Sequence, residues 1–392
     1  MEAFIQVAIA FLGIAIVGRI SKKLNSFYPP FYIVAGIILG PFGLGLVKNK
    51  EIIEVFADLG VIFLLFYFGF KFSFDKLINN KKYFGTAGII DFIINFSIGL
   101  VIGKLMGLDL ILTIAVAGLI YMSSSGIITK TLIQLEAIDD PEGELIMGIM
   151  IIEDLVMVFF LVFVSSLIGF QGEIELLSLG FNILIALVFC AILIIVGYKY
   201  SRFLEKLLDV DSKEMRLLTF LAIVLIVATI GMKLGVSEAL GAFFLGMAFS
   251  RTKNKEEVKK LTLTFRDIFG SFFFFFFGME FQLNNLGLNT SIVLISIILA
   301  IVGKLISSYI ISKLLQCPAK KGLFMGLVIV SRGEFSLLIA GMLSMSGIDF
   351  NTFSIILILS TSFFSTISFK IIDYLCDKKG ICIIPKEYIK FN

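Results

Sequence analysis

Thirteen runs of apolar sequence decide what this chain can become. A membrane-spanning helix needs about 20 mostly apolar residues. Runs of this kind lie near 3–20, 29–46, 52–70, 84–106, 109–135, 144–168, 175–197, 216–232, 236–250, 266–283, 290–314, 322–346 and 351–375. The second is interrupted by Pro29, Pro30 and Pro41, and the ninth is short. Only backbone that satisfies its own hydrogen bonds is stable in lipid, so runs of this length predict helices. The expected fold class is therefore all-α polytopic membrane protein, with about 13 transmembrane helices. Composition agrees: charged residues make up 16% of the chain, against roughly 25% in soluble domains.

The remaining composition excludes several functions. A net charge of +3 is too small to argue for a nucleic-acid partner. With no His, any response to pH must use carboxylates or lysines. Cys190, Cys317, Cys376 and Cys382 lack zinc or redox spacing and read as small apolar filler. There is no phosphate-binding glycine loop, metal-protease helix or nucleophile elbow. The chain is expected to be neither an enzyme nor an ATP-driven pump, and to need no cofactor.

Lysines and arginines set the expected orientation. Arg19, Lys22, Lys23, Lys71, Lys76, Lys81, Lys82, Lys199, Arg202, Arg251 and Lys253 fall in alternate loops, and the opposite loops hold only Lys48, Lys50, Lys104 and Lys233. This bias and the odd span count agree on a multi-pass protein of the cell (plasma) membrane, N-terminus outside and C-terminus cytoplasmic. The acidic loop 136–144 dissents, but acids carry little topological weight. The first run lacks a basic flank and a cleavage site, so it reads as a membrane helix rather than a signal peptide.

The chain also repeats itself. The segment from Asp58 through Gly69 to Phe72 aligns with that from Asp267 through Gly278 to Phe281, an offset of 209. Ala35–Gly40 aligns with Gly241–Gly246 at an offset of 206. Spans 1–6 then pair with spans 8–13, and the single span 7 between them reverses the second half. Inverted six-helix repeats of this kind recur in secondary transporters, with the site near the midplane. The glycine-rich second and ninth spans favour close helix packing, at a scaffold or a subunit interface.

Ionisable groups deep in hydrocarbon are functional candidates by default. Glu153 and Asp154 sit together near the middle of span 6, in GIMIIEDLVMVFFL. Two adjacent carboxylates there cannot both ionise cheaply without a cation. A proton and a metal ion can therefore compete for one of them; the bland alternative is a structural pair neutralised by a neighbouring helix. Lys304, mid-way along span 11, needs an acidic partner, and Glu153 or Asp154 is the natural one. Asp91 in span 4 either lines an ion path or is a hydrogen-bonded structural acid.

Two polar interruptions complete the pattern. Tyr121-Met-Ser-Ser-Ser-Gly126 interrupts span 5 and Val330-Ser-Arg-Gly-Glu334 interrupts span 12, with Ser123 and Ser331 separated by 208. Matched breaks predict two discontinuous helices, whose free ends would face the acidic pair. Ser124, Ser125 and Thr129 are then candidate oxygen ligands, although serines between membrane helices also serve packing alone. Arg332 and Glu334 read as charges compensating the break.

At these residues the chain resembles the monovalent cation:proton antiporter family, in its NapA/Kef-type branch. Phe63-Leu-Leu-Phe-Tyr-Phe-Gly69 is similar to the branch's third-helix motif. Ser237-Glu-Ala-Leu-Gly-Ala-Phe-Phe-Leu-Gly-Met247 is similar to its ninth, and Arg332-Gly-Glu-Phe335 to its RGE/GEF segment. The resemblance covers essentially the whole chain. It implies an NhaA/NapA-like antiporter fold and a homodimer. Its scaffold would comprise residues 1–75 and 214–285, and its mobile core 84–168 and 289–375. A linker helix over 175–197 and a short cytoplasmic tail over 376–392 complete the division. It also implies elevator-like alternating access, with Asp154 as the ion and proton carboxylate, Glu153 as the variable position before it, and Lys304 as the partner of that position. Members commonly carry Asp, Asn or Gln where this chain has Glu153. An acid there, with Lys304, leans toward electrogenic exchange. The basic tail is too short for a Kef-type regulatory domain, so nucleotide or glutathione gating is not expected.

The function expected is exchange of a monovalent cation, Na+ ahead of K+, for H+ across the lipid bilayer. A K+/H+ antiporter of the same fold remains open. So does a channel, which would conduct without proton counterflow, or a sodium-coupled symporter, against which Lys304 beside the acidic pair argues.

Overall fold

The computed structural model describes residues 2–24, 27–71, 81–135, 137, 140–168, 176–209, 212–234, 238–282, 290–344 and 350–379. Every regular element among them is an α-helix. The first half runs α1 (Glu2–Lys23), α2 (Tyr28–Leu39), α3 (Lys50–Lys71), α4 (Lys81–Leu105), α5 (Leu110–Tyr121), α6 (Ser125–Gln134), α7 (Pro141–Ile168) and α8 (Leu176–Lys199). The second half runs α9 (Ser201–Leu208), α10 (Lys213–Lys233), α11 (Glu238–Phe249), α12 (Lys255–Met279), α13 (Thr290–Leu314), α14 (Ala319–Ile329), α15 (Glu334–Ser344) and α16 (Asn351–Lys379).

Eight of the described helices or joined helices are long and apolar enough to cross a membrane, and ten if each bent pair counts as one crossing. The bent pairs are α8 with α9, at 79°, and α14 with α15, at 51°. The first bend is absent from the sequence expectation. It follows from α9 being amphipathic, with Leu204 and Leu208 buried while Arg202 and Lys206 share its short length. The residue run 72–80, the loop positions 136, 138 and 139 and the tail beyond 379 lie outside the described residues.

The chain divides into two compact units. One comprises Met1–Leu24, Phe31–Phe74 and Val158–Phe281; the other comprises Asn25–Pro30, Asp75–Met157 and Gln282–Asn392. The boundary thus falls inside α7.

The first unit is held by close packing rather than by a hydrophobic drive, since lipid is as apolar as any core. Glycines let main chains touch. A Cβ added at Gly69 on α3 would lie 1.8 Å from the Phe243 carbonyl oxygen on α11, and one at Gly246 would lie 2.0 Å from that of Phe66. The same occurs between α2 and α12: a Cβ at Gly36 would lie 2.0 Å from the Phe275 oxygen, and one at Gly278 2.1 Å from that of Ile33. Phe66 and Phe275, like Gly69 and Gly278, are equivalent positions in the sequence alignment at offset 209. The aligned segments therefore pack crosswise, α2 on α12 and α11 on α3. Phenylalanines fill the rest of the seam: Phe63 stacks on Phe265 at 5.0 Å, and Phe56 packs on Phe272 at 4.9 Å.

The second unit carries every polar group singled out above. Its helices α4, α5, α13, α14, α15 and α16 pack on one another. The turn from α4 to α5 uses Gly107 at φ +74, and Asp109 caps α5 by accepting from the Leu112 N–H at 2.8 Å.

Candidate functional site

Both interruptions in the sequence are breaks in the backbone. Helix α5 ends at Tyr121, residues 122–124 are non-helical, and α6 starts at Ser125. Helix α14 ends at Ile329 and α15 starts at Glu334. The unwound segments meet directly: the Ser124 N–H donates to the Ser331 carbonyl at 2.8 Å. Gly333 makes this approach possible, because a Cβ there would lie 2.4 Å from Ser124 Cβ.

Both helix ends at the second break find a charge of suitable sign. Arg332, fully buried, follows the C-terminus of α14 and donates to the Val330 and Ala300 carbonyls, each at 3.1 Å. A cation there offsets the negative end of the helix dipole and satisfies an orphan carbonyl. Its own N–H donates to Thr361 Oγ1 on α16 at 3.1 Å. Glu334, an acid in the first turn of α15, accepts from Ser124 Oγ at 3.0 Å. Ser336 Oγ donates to the Leu119 carbonyl at 2.9 Å, a second tie between the broken spans.

Glu153 approaches the break from α7. The Ser123 N–H donates to Glu153 Oε2 at 2.7 Å, and Ser123 Oγ donates to Oε1 at 3.0 Å. Without the carboxylate, an N–H freed by the interruption would stay unpaired in an apolar setting, at a cost of about 1–3 kcal/mol. Lys304 Nζ lies 2.7 Å from Glu153 Oε1 and also 2.7 Å from Asp91 Oδ2, and all three side chains are essentially inaccessible. The ammonium further sits 5.2 Å from the centre of the Tyr121 ring.

Asp91 is anchored independently. Its Oδ1 accepts from Asn95 Nδ2 at 2.9 Å and from Ser307 Oγ at 2.8 Å. Neither Asn95 nor Ser307 figured among the sequence candidates, nor did Tyr121. A signal was present: Asn95 follows Asp91 by four residues and Ser307 follows Lys304 by three. Those spacings place each pair on one helix face.

The residues alone left the partner of Lys304 open between Glu153 and Asp154, and the family resemblance pointed to Glu153. In the structure it is Glu153, joined by Asp91. Asp154 is the next residue along α7, turned by about 100°, and is partly exposed where Glu153 is buried. Ser125 opens α6 beside the Glu334 carboxylate. The Thr129 hydroxyl is directed to the Met147 sulfur at 3.8 Å.

Comparison with known proteins places this chain among transporters. A family profile described as "Sodium/hydrogen exchanger, transmembrane" matches residues 7–372. A K(+)/H(+) antiporter subunit, KhtU of Bacillus subtilis, is 36% identical over 344 residues, covering 86% of this chain and 85% of that protein. The Na(+)/H(+)-K(+) antiporter GerN of Bacillus cereus is 28% identical, covering 92% and 94%. Among solved structures, the sodium proton antiporter MjNhaP1 of Methanocaldococcus jannaschii at pH 8 superimposes with a TM-score of 0.66 at 16% identity, covering 96% of this chain and 98% of that one. At that identity the likeness speaks for the fold alone.

Proposed function

Because the chain belongs to the sodium/hydrogen exchanger transmembrane family, and is a multi-pass cation/proton antiporter on that ground, we propose that the exchanged ions meet at Asp154. One observation carries this reading. Glu153 is committed to Ser123 and Lys304, whereas Asp154, its neighbour on α7, is partly exposed. A partly accessible carboxylate beside a fully enclosed charge cluster is the group a cation or a proton can reach. Glu153 and Lys304 then set the local charge, and Arg332 and Glu334 hold the broken helices in place. Ser124 and Ser125 lie at the crossing as candidate oxygen ligands. Thr129 is the weaker candidate, given its contact with Met147.

The transported cation is Na+ or K+. The relative at 36% identity is named for K+ and H+, which favours potassium over the sodium read from sequence. Alternating access is proposed to be elevator-like. In support, Asp91, Ser123, Glu153, Asp154, Lys304, Arg332 and Glu334 all belong to one compact unit. Thirteen crossings and an inverted repeat are proposed too. The short apolar helices α2 and α11, at 12 residues each, and the 28-residue α7 would complete that count. The crosswise seams of the first unit support the repeat. A homodimer with its N-terminus outside completes the reading.

The test is purified protein in proteoliposomes with a pH-sensitive dye, driven by lithium, sodium, potassium or rubidium, with and without a clamped membrane potential. Asp154→Asn should abolish cation-driven proton movement; full flux in that variant would overturn the assignment. Conductance without proton counterflow would point to a channel instead.

A further inference from the structure

Lys304 has two acidic partners where a structural pair needs one. Both distances are 2.7 Å, and neither carboxylate depends on the lysine for its remaining hydrogen bonds. Asp91 keeps Asn95 and Ser307; Glu153 keeps both donors of Ser123. Arg332, fully buried, also acts electrostatically on both carboxylates, so neither acid has Lys304 as its sole cation. Two carboxylates therefore converge on one ammonium, with one contact to spare. The spare contact has a use if the lysine must at times give up one acid.

We propose that Asp91, held by Asn95 and Ser307, is a second seat for the Lys304 ammonium. When the cation occupies the Asp154 end of the acidic pair, the lysine relinquishes Glu153 and rests on Asp91 alone. This inference rests on the exchange reading of Asp154. An ammonium leaving Glu153 without Asp91 would be a buried charge with no partner, and removing one partner of a buried pair is strongly destabilising. With Asp91 present, the lysine loses one of two equal contacts and never stands unpaired. The Tyr121 ring at 5.2 Å stays with the ammonium in either position. Asp91 is thus a positioning residue: it acts on the cation through Lys304, by setting how firmly Lys304 holds Glu153.

The experiment is proton flux in proteoliposomes against cation concentration at fixed pH, for wild type, Asp91→Asn, Glu153→Gln, the double variant and Asp154→Asn. With Asp91 neutralised, Lys304 clings to Glu153 and the cation must compete harder. Asp91→Asn should raise the half-saturating cation concentration about tenfold while the maximal rate stays within about twofold, the signature of a binding effect rather than a rate effect. In the Glu153→Gln background the same substitution should produce no such rise, since the contact it strengthens is gone. An equal rise in both backgrounds, or a fall in maximal rate at unchanged half-saturation, overturns the proposal. Ser307→Ala provides an independent arm should Asp91→Asn not fold. Stripping a donor from Asp91 Oδ1 leaves that carboxylate free to draw the ammonium more strongly, so half-saturation should fall about threefold, the opposite of general damage. An unchanged or raised value there overturns it. Loss of flux in Asp154→Asn reports on the exchange reading alone, so the two ideas can fail separately.

Discussion

Replacing Gly333 with alanine probes the crossing of the two broken spans. The new Cβ would lie 2.4 Å from Ser124 Cβ, 2.5 Å from Ser124 Oγ and 3.0 Å from Ser124 Cα. Carbon atoms settle at about 3.5–4.0 Å, so the unwound segments must part by roughly 1 Å. That would stretch the Ser124 N–Ser331 O bond, now 2.8 Å, and the Ser124 Oγ–Glu334 bond, now 3.0 Å, past ordinary hydrogen-bond length. Overpacking costs about 1–3 kcal/mol, and each weakened hydrogen bond about 1 kcal/mol more. The variant should still fold, with a lower melting temperature in detergent. Its flux should suffer more than its stability, because a misplacement of about 1 Å at a working site costs on the order of 100-fold in rate. The assay is cation-driven proton flux at matched protein load, alongside thermal melts. An internal control comes from the clashing atoms themselves. Gly333→Ala with Ser124→Gly removes Cβ and Oγ and should recover part of the lost flux, whereas Gly333→Ala with Ser124→Ala keeps the Cβ and should not. Wild-type flux in Gly333→Ala, or equal recovery from both double variants, would refute the crossing geometry.

Other outcomes follow from the same contacts. Lys304→Ala leaves Asp91 and Glu153 as buried acids without the ammonium they contact and should destabilise the protein by about 3–5 kcal/mol; thermal melts should show a smaller loss when Asp91→Asn is added. Arg332→Lys replaces a two-armed donor with a point charge, so one of the Val330 and Ala300 carbonyls loses its partner, for about 1–3 kcal/mol in chemical denaturation. Gly69→Ala should sharply reduce folded yield by size-exclusion chromatography, because its Cβ meets main chain at 1.8 Å. Gly85→Ala on α4 meets nothing within 4 Å and should raise stability by about 0.5–1 kcal/mol through helix propensity.

Much of this molecule could be read before the structure, and the reasons differ from part to part. Apolar runs of membrane length force helices, so the helical class followed from residue type alone. The two breaks were legible because Ser, Gly, Arg and Glu interrupt apolar runs at matched positions, Ser123 and Ser331 foremost. What pattern could not supply was partnership across helices. Lys304 needed an acid, yet nothing in the linear order ranks Asp91, 213 residues away, against Glu153, 151 residues away. The sideways turn of α8 into α9 also escaped, since Lys199, Arg202 and Lys206 mark that short stretch as loop although Leu204 and Leu208 give it a buried helical face. Thr129 shows the converse limit: a hydroxyl at a suggestive position on α6 is directed to a methionine sulfur.

The glycine seams of the first unit bear on how such a chain can diverge. At Gly69, Gly246, Gly36 and Gly278 the atom that forbids a side chain is a carbonyl oxygen. Every residue type carries that oxygen, so no exchange at Phe243, Phe66, Phe275 or Ile33 can make room. Such positions have no compensating partner and should not covary with anything; in related chains they stay glycine, or an entire helix is displaced. The contact at Gly333 differs, because two of its three nearest atoms belong to the Ser124 side chain. There a paired change is open to descent, and positions 124 and 333 should drift together where 69 and 243 cannot.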